Sequence, residues 1–222
     1  LVAPFEGLYR ATGYELLFAV RLALQNRNQS DGLAGYRVEL VALNDFNDPN
    51  QARQQARALV TDPGVVGVIG HLDSAATQAA LPVYQRARLG LVIPWSVDES
   101  IFDGEFEGVA TVAASQQQTA ARLETMSRQL GFQPSVLVTG PDLAQLPAAA
   151  PAAYLAMDAV SAGNLVQALG ARQRQPQLFG QVDVGDRQLI QVAGAGANGL
   201  VFVSAGPGAG DVSEQHRNFV EA

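Results

Sequence analysis

The chain of 222 residues carries a net charge of −7 at pH 7 and contains neither cysteine nor lysine. Negative charge argues against nucleic acid as a partner because it repels the phosphate backbone. The composition also excludes disulfides, cysteine-based zinc sites and thiolate or lysine Schiff-base catalysis. No apolar run reaches the roughly 18 residues of a membrane span, so we expect no direct span.

Strands and helices alternate in the first half of the sequence. Residues 1–4 have the character of a strand end whose beginning is missing, and a helix with one apolar face follows. The β-branched segment YRVELVAL (36–43) predicts a second strand. Asp48 as N-cap and Pro49 in the first turn predict the start of a second helix.

The alternation continues, and it predicts a doubly wound α/β fold with parallel strands. VVGVIG and LVIPW are predicted strands around a helix from about Ser74 to Leu89, which Gly90 ends. In the second half, strands are predicted at VATVAA, SVLVTG, AAYLAMDA, PQLFGQVDV and GLVFVSAG, and helices at 117–130, SAGNLVQALGARQR and SEQHRNFVEA. A Pro/Ala linker, PDLAQLPAAAP, has no helical or strand period. We place an N-terminal lobe at 1–107 and a shortened second lobe at 108–222.

Motifs for catalysis are weak. GAGANG (194–199) matches a dinucleotide-binding pattern but precedes a strand instead of opening a helix, so we interpret it as a turn. GPGAGD (206–211) favours a surface loop over a phosphate cradle. His71 and His216 lack metal-ligand spacing, and we expect His71 to be hydrogen-bonded to neighbouring backbone. No G-x-S-x-G nucleophile motif is present, and we expect no enzyme activity, cofactor or metal.

Polar and aromatic residues follow several predicted strands. In open α/β sheets, ligands bind beyond the carboxyl ends of the strands. Glu6 to Arg10, His71 to Ser74, Trp95 to Asp98 and Asp158 occupy such positions. The helix that opens near Ser74 offers backbone N–H groups suited to a carboxylate. Simple N-capping by Asp73 or Ser74 is the alternative interpretation.

One long stretch of the sequence resembles a known family. The stretch NDFNDPNQARQQARALVTDPGVVGVIGHLDSAATQAALPVYQRARLGLVIP resembles the first lobe of the periplasmic branched-chain amino acid (Leu/Ile/Val) binding proteins. These are the type I substrate-binding proteins of ABC transporters. The resemblance covers about residues 1–140 strongly and the rest more weakly. It implies two α/β lobes that close on a ligand in the cleft between them, with the second lobe here reduced or incomplete.

The resemblance also implies a ligand site. The residues after GHL would receive a ligand carboxylate through Ser74 and backbone N–H groups, and the tip after IP, with an acid of the second lobe, would receive the ligand amino group. The predicted ligand-binding residues are Tyr9, Leu72, Asp73, Ser74, Ala75, Trp95, Ser96, Val97, Asp158 and Asp183. This chain has Trp95 where the family has glycine and Val97 where it has threonine, and Asp73 adds a negative charge beside the carboxylate position.

The implied function is that of an extracytoplasmic solute-binding protein. It would capture an amino acid or a related compound and deliver it to the membrane permease of an ABC importer. We expect a periplasmic or extracellular, membrane-associated location. A ligand-sensing regulatory domain of the same fold is the alternative. Because of the departures at Trp95, Val97 and Asp73, a weakly polar, aromatic or cationic ligand is as compatible with the sequence as leucine.

Overall fold

The chain folds into two compact α/β units. A computed structural model describes residues 1–95, 97–103, 107–133, 136–181 and 187–203. Within these ranges the first unit ends at Ala114 and the second begins at Ser115. No helix in the described part of the chain combines the length and the hydropathy needed to cross a bilayer.

In its described residues, the first unit contains five short parallel strands and three α-helices. Its strands are β1 (Val2–Ala3), β2 (Leu43–Asn44), β3 (Val68–Ile69), β4 (Leu91–Ile93) and β5 (Val109–Thr111). Its helices are α1 (Arg10–Ser30), α2 (Pro49–Leu59) and α3 (Ser74–Ala87). β1 pairs with β2, and β3, β4 and β5 pair in that order, all in parallel. The predicted parallel α/β class is therefore confirmed.

Local chemistry sets the helix ends. The Asp48 side chain accepts hydrogen bonds from the N–H groups of Asn50 and Gln51, and Pro49 lies in the first turn of α2 as predicted. The end of α3 differs from the prediction, because the helix stops at Ala87 and Arg88 takes the left-handed conformation expected later in the chain, at Gly90.

The predicted strand YRVELVAL is mostly unpaired. Of its residues, only Leu43 belongs to β2, whereas residues 37–42 have no strand assignment. A strand is defined by its partner, and β1 offers β2 only two residues, Val2 and Ala3. β-Branched composition was therefore a poor guide to strand pairing over these residues.

Side chains along β1 point alternately to the two faces of the sheet, and the core of the first unit has one layer on each face. Leu1 and Ala3 pack with Leu17 of α1 in one apolar cluster. Val2 points the other way and packs with residues of α2, α3 and β4. Because successive strand residues face opposite sides of a sheet, α1 covers one face while α2 and α3 cover the other.

The second unit repeats the parallel α/β design. Its strands are β6 (Leu137–Val138), β7 (Ala152–Leu155), β8 (Gln177–Gly180) and β9 (Val201–Phe202), paired in parallel in that order. Its helices are α4 (Gln116–Gln129), α5 (Ala159–Ala171) and α6 (Arg187–Ala193). The Pro/Ala segment between β6 and β7 holds a single 3-10 turn at Leu143–Gln145, in agreement with a reduced second lobe. GAGANG forms a 3-10 turn between α6 and β9, as predicted.

The division between the units falls later than the predicted boundary at residues 107 and 108. VATVAA, which we assigned to the second lobe, contains β5. β5 pairs in parallel with β4 from Leu91 to Ile93 and therefore belongs to the sheet of the first unit.

Candidate functional site

The candidate site is the set of loops that follow the first four strands of the first unit. We call it the strand-end edge, and it consists of residues 4–9, 45–48, 70–73, 94, 95, 97 and 98 together with the first turn of α3. In a parallel α/β sheet these loops lie at one end of the strands, where ligands generally bind. Among the predicted ligand residues of the first lobe, all those that the structure describes lie on this edge.

Asp73 is the N-cap of α3. Its Oδ1 atom accepts hydrogen bonds from the Ala75 N–H at 2.6 Å and the Ala76 N–H at 3.4 Å. These two groups are among the unpaired N–H donors that a helix presents at its start. The capping interpretation of Asp73 is therefore confirmed. Its carboxylate also occupies a position where an external anion would otherwise be received.

Side-chain hydrogen bonds tie neighbouring loops of the edge together. The Ser74 Oγ accepts from the Asp98 N–H at 3.0 Å and joins the start of α3 to the loop after β4. The Asn44 Oδ1 accepts from the Phe5 N–H at 2.9 Å and joins the loops after β1 and β2. Such cross-links hold the edge in one arrangement before any ligand arrives.

Leu72 and Trp95 meet in one apolar cluster. Leu72 is buried with Leu1, Ala3 and Leu17, and the half-buried Trp95 packs against this group. Trp95 thus places aromatic surface at the strand-end edge, as the sequence predicted. The Val97 side chain is 1% exposed and belongs to the opposite cluster. That side chain is core, so a ligand would reach Val97 through its backbone.

Three buried polar side chains support the edge from beneath. Asp45, His71 and Tyr84 have no exposed surface. The His71 Nδ1 lies 2.6 Å from Asp45 Oδ2, and His71 Nε2 lies 3.3 Å from the Tyr84 hydroxyl. The expectation that His71 bonds to neighbouring backbone is therefore wrong. Its partners are the side chains of two distant residues.

One protonation pattern satisfies all three groups. A neutral His71 that donates from Nδ1 to Asp45 leaves Nε2 to accept the proton of the Tyr84 hydroxyl. Burial, and then the neighbouring Asp45 carboxylate, raise the pKa of Tyr84 above its ordinary value of 10.0, which keeps the phenol protonated. Asp45 Oδ1 also accepts from the Asn47 N–H at 3.0 Å. The network connects the loops after β2 and β3 to the last turn of α3.

This network is structural. A histidine with an orienting acid is half of a hydrolytic triad, but here Nε2 faces a phenol and water has no access to any of the three side chains. Across the described residues, no group of three histidine or acidic side chains could hold a metal ion.

Four predicted residues remain, and only Tyr9 among them is described at the edge. Tyr9 is half-buried and immediately precedes α1, at the edge. Asp158 belongs to the second unit, where it caps α5 by accepting from the Val160 and Ser161 N–H groups. Ser96 and Asp183 lie outside the described residues.

Sequence reasoning missed Asp45 and Tyr84. Asp45 stands at the end of a predicted strand, inside the NDFNDP segment that supported the family resemblance. A histidine predicted to follow a buried strand requires a polar partner, and a strand-end acid was the available signal. Tyr84 carried no comparable signal because its position on α3 fits an ordinary core aromatic.

Comparison with known proteins agrees with the fold. The family model described as periplasmic binding protein matches residues 1–153. The leucine-specific-binding protein of Salmonella typhimurium is 32% identical over 114 residues, which cover 49% of this chain and 31% of that protein. The chain thus matches about a third of the length of this curated relative.

Solved structures share the fold over nearly the whole chain. A branched-chain amino acid transporter substrate binding protein of Streptococcus pneumoniae, in complex with isoleucine, gives a TM-score of 0.88 at 19% identity. A solute binding protein of an ABC transporter from Rhodopseudomonas palustris, in complex with 3,4-dihydroxy benzoic acid, gives 0.81 at 18%. Both comparisons cover 99% of this chain, and 74% and 71% of the other chains.

The parallel α/β units define a protein of the type I periplasmic-binding-protein fold. The chain belongs to the periplasmic binding protein family. At the level of the family, this is a ligand-binding class and not a class of enzymes.

Proposed function

We propose that this chain is an extracytoplasmic solute-binding protein that captures a small molecule for the permease of an ABC importer. The strand-end edge of the first unit is the observation that carries the proposal. There, Ser74 and the Asp73-capped start of α3 stand beside the loop that carries Trp95. The relatives named for leucine binding support an amino acid or a related compound as the ligand. The location would be periplasmic or extracellular and membrane-associated.

The ligand class follows from Asp73. The resemblance assigns a ligand carboxylate to Ser74 and the N–H groups around Ala75, yet the Ala75 N–H already donates to the Asp73 carboxylate at 2.6 Å. A second carboxylate would lose this donor and meet a like charge. We therefore propose that the site prefers a neutral or cationic polar end, such as an amide, with an apolar or aromatic body that packs against Trp95.

A thermal-shift screen tests the proposal. Amino acids, their amides and aromatic acids would each be added to the chain, and the unfolding midpoint recorded. A ligand at 100 times its Kd stabilises the folded state by about 2.7 kcal/mol, so even micromolar binding registers. The stabilisation should be lost in Ser74→Ala and kept in Ser30→Ala, an exposed serine near the end of α1. If no ligand raises the midpoint, or if both serine variants respond alike, the proposal fails.

A further inference from the structure

One buried oxygen atom at the strand-end edge has no hydrogen-bond donor. Asn47 lies in the loop after β2, and its side-chain Oδ1 is buried although the residue as a whole is half-buried. Across the described residues, it is the sole buried side-chain nitrogen or oxygen atom without a partner. Buried polar atoms are nearly always paired, because an unpaired acceptor has given up its water for nothing. Asn47 Oδ1 therefore requires an explanation that the fold alone does not supply.

The backbone around Asn47 is held in place. Phe46 and Asn47 both have left-handed backbone, with φ of 55° and 57°. The Asn47 N–H donates to Asp45 Oδ1 at 3.0 Å, and the Asp48 N–H donates to the Asp45 carbonyl at 2.8 Å. The Phe46 N–H donates to Asn44 Oδ1 at 3.0 Å. The loop therefore cannot shift without loss of these bonds, whereas rotation of the Asn47 side chain leaves all of them intact.

The loop that carries Asn47 is connected to the loop that carries Asp73. One buried carboxylate makes the connection, because Asp45 accepts from the Asn47 N–H through Oδ1 and contacts His71 Nδ1 through Oδ2. Asn47 follows Asp45 by two residues, and Asp73 follows His71 by two residues. Asn47 and Asp73 therefore each lie two residues beyond this contact, on adjoining loops of the strand-end edge.

Both loops offer hydrogen-bond acceptors. Asp73 Oδ1 caps α3, and within the part of the chain that the structure describes Asp73 Oδ2 receives no hydrogen bond. Together with Asn47 Oδ1, this makes two oxygen atoms that lack a donor. A primary amide brings N–H donors to such oxygens, whereas an ester or a carboxylate brings only further acceptors. The two loops therefore favour a ligand end that donates.

We propose that Asn47 is a specificity-determining residue, and that its side chain turns outward on binding so that Oδ1 accepts an N–H from a primary amide of the ligand. The oxygen is unpaired in the free protein and paired in the complex, so it lowers the stability of the first and raises the affinity of the second. This inference rests on the proposed function, because it concerns the same edge and narrows the polar end of the ligand to an amide.

Ligand discrimination tests the contact. Leucinamide and leucine methyl ester both carry an amino group and no carboxylate, but only the amide end has N–H donors. Fluorescence titration of Trp95 should show that the wild type binds leucinamide about tenfold more tightly, because the ester leaves a polar group of the site unpaired. Asn47→Gly should lower this ratio to about twofold or less. Asn47→Asp keeps an acceptor on the side chain and should retain most of the preference.

Unfolding midpoints without ligand test the effect of the unpaired oxygen on stability. Glycine adopts left-handed backbone readily, so Asn47→Gly removes the oxygen without strain in the loop. Gln173→Gly is the matched control, since Gln173 of the second unit also has φ of 55° but is exposed and buries no unpaired atom. Asn47→Gly should raise the midpoint by at least about 2 °C more than Gln173→Gly does.

The results that would contradict this inference differ from those that contradict the proposed function. If the wild type and Asn47→Gly prefer leucinamide equally, solute binding stands but Asn47 does not contact the amide. If the two glycine variants shift the midpoint equally, solvent already serves Asn47 Oδ1 and the inference is wrong. If the wild type binds neither ligand, the proposed function fails, and this inference fails with it.

Discussion

The two units share a parallel α/β design but differ in what they bury beneath their strands. The first unit buries Asp45, His71 and Tyr84 in mutual contact next to the candidate ligand edge. The second unit contains instead a smaller cluster beside its aliphatic core in which Phe179 packs against Phe132 and Tyr154, with ring centroids 6.0 Å apart.

The two kinds of buried cluster serve different purposes: the aromatic cluster stabilises its unit, whereas the polar network also positions the loops above it. An aromatic cluster stabilises through buried area and tolerates small shifts of its members. A buried histidine and acid tolerate few arrangements, because each polar atom must keep its partner. The first unit therefore fixes the loops after β2 and β3, and with them Asp73 and Ser74, by directional contacts. The predictions below test this contrast, from the largest expected effect to the smallest.

Removal of His71 should have the largest effect. His71→Ala leaves the Asp45 carboxylate buried and without its main partner, which typically costs about 3–5 kcal/mol of folding free energy. Chemical denaturation of wild type and variant measures the loss. Addition of Asp45→Asn should recover at least about 1 kcal/mol, since the stranded charge is then gone.

Phe179→Ala in the second unit serves as the apolar reference for His71→Ala. It leaves a cavity at a similar cost of about 3–5 kcal/mol but strands no charge. Asp45→Asn should give this variant no recovery. If Asp45→Asn also gives no recovery of stability in His71→Ala, the buried network stabilises the fold only through packing, and the proposed contrast between the units is wrong.

Alkaline pH should weaken the folded state through Tyr84. Because the pKa of Tyr84 is raised in the folded protein, the unfolded chain releases this proton first, near pH 10. Above that pH the folded state binds more protons than the unfolded state, so the free energy of unfolding falls by at most about 1.4 kcal/mol per pH unit. Below pH 10 Tyr84 is protonated in both states, so the stability that its protonated form gives the fold is fully present. Denaturation curves at several alkaline pH values measure the slope.

Tyr84→Phe provides the control for the alkaline effect. It removes the phenol proton, so the fall above pH 10 should be shallower than in the wild type. Near neutral pH it should cost about 1 kcal/mol, because His71 Nε2 loses its hydrogen-bond donor. An unchanged alkaline slope would show that Tyr84 is not the titrating group.

The N-cap of α3 should contribute a smaller amount to the folding free energy. Asp73→Ala removes the acceptor of the Ala75 and Ala76 N–H groups and should cost about 1 kcal/mol, whereas Asp73→Asn retains a capping oxygen and should cost much less. Asp158→Ala tests the same device on α5, where Asp158 also accepts from the Ser161 hydroxyl at 2.7 Å. Equal stability of Asp73→Ala and Asp73→Asn would contradict the capping role.

The surface pair of the second unit should contribute least. Glu124 and Arg128 of α4 lie 3.0 Å apart, with more than half of each side chain exposed. Exposed pairs of this spacing stabilise by about 0.3–0.5 kcal/mol, and salt screens them. The loss of folding free energy in Glu124→Ala should therefore fall within that range at low salt. Thermal unfolding at two salt concentrations measures this loss. A loss above about 1 kcal/mol would contradict this assignment.

Local chemistry made part of this fold predictable. Asp48 and Pro49 start α2 through contacts within three residues, and the turn nature of GAGANG followed from its position before a strand. The partners of His71 lie 26 residues before it and 13 after it, so no local pattern could identify them. The strand prediction for residues 37–42 was wrong for the same reason. Their composition is typical of a strand, but they have no strand assignment because no neighbouring strand pairs with them over most of their length.

The candidate site was predictable as a place more than as a set of contacts. Strand ends indicated the edge at which we expect the ligand, and in the structure Leu72 and Trp95 of that edge meet in one cluster. The sequence could not show that the Val97 side chain turns into the core, because a single loop residue has no periodicity to reveal its direction. The sequence also could not show whether Asp73 contacts a ligand or caps α3, because both roles use the same carboxylate.

A fluorescence titration of Trp95, the sole tryptophan of the chain, tests the central claim most directly. Leucine and leucinamide would be titrated against the wild type and Asp73→Asn, which keeps the cap but removes the charge. We predict that the wild type binds leucinamide about tenfold more tightly than leucine, a difference of about 1.4 kcal/mol, and that Asp73→Asn removes this preference. Equal affinity of the wild type for both ligands, unchanged in Asp73→Asn, would contradict the claim that Asp73 sets the ligand class at this edge.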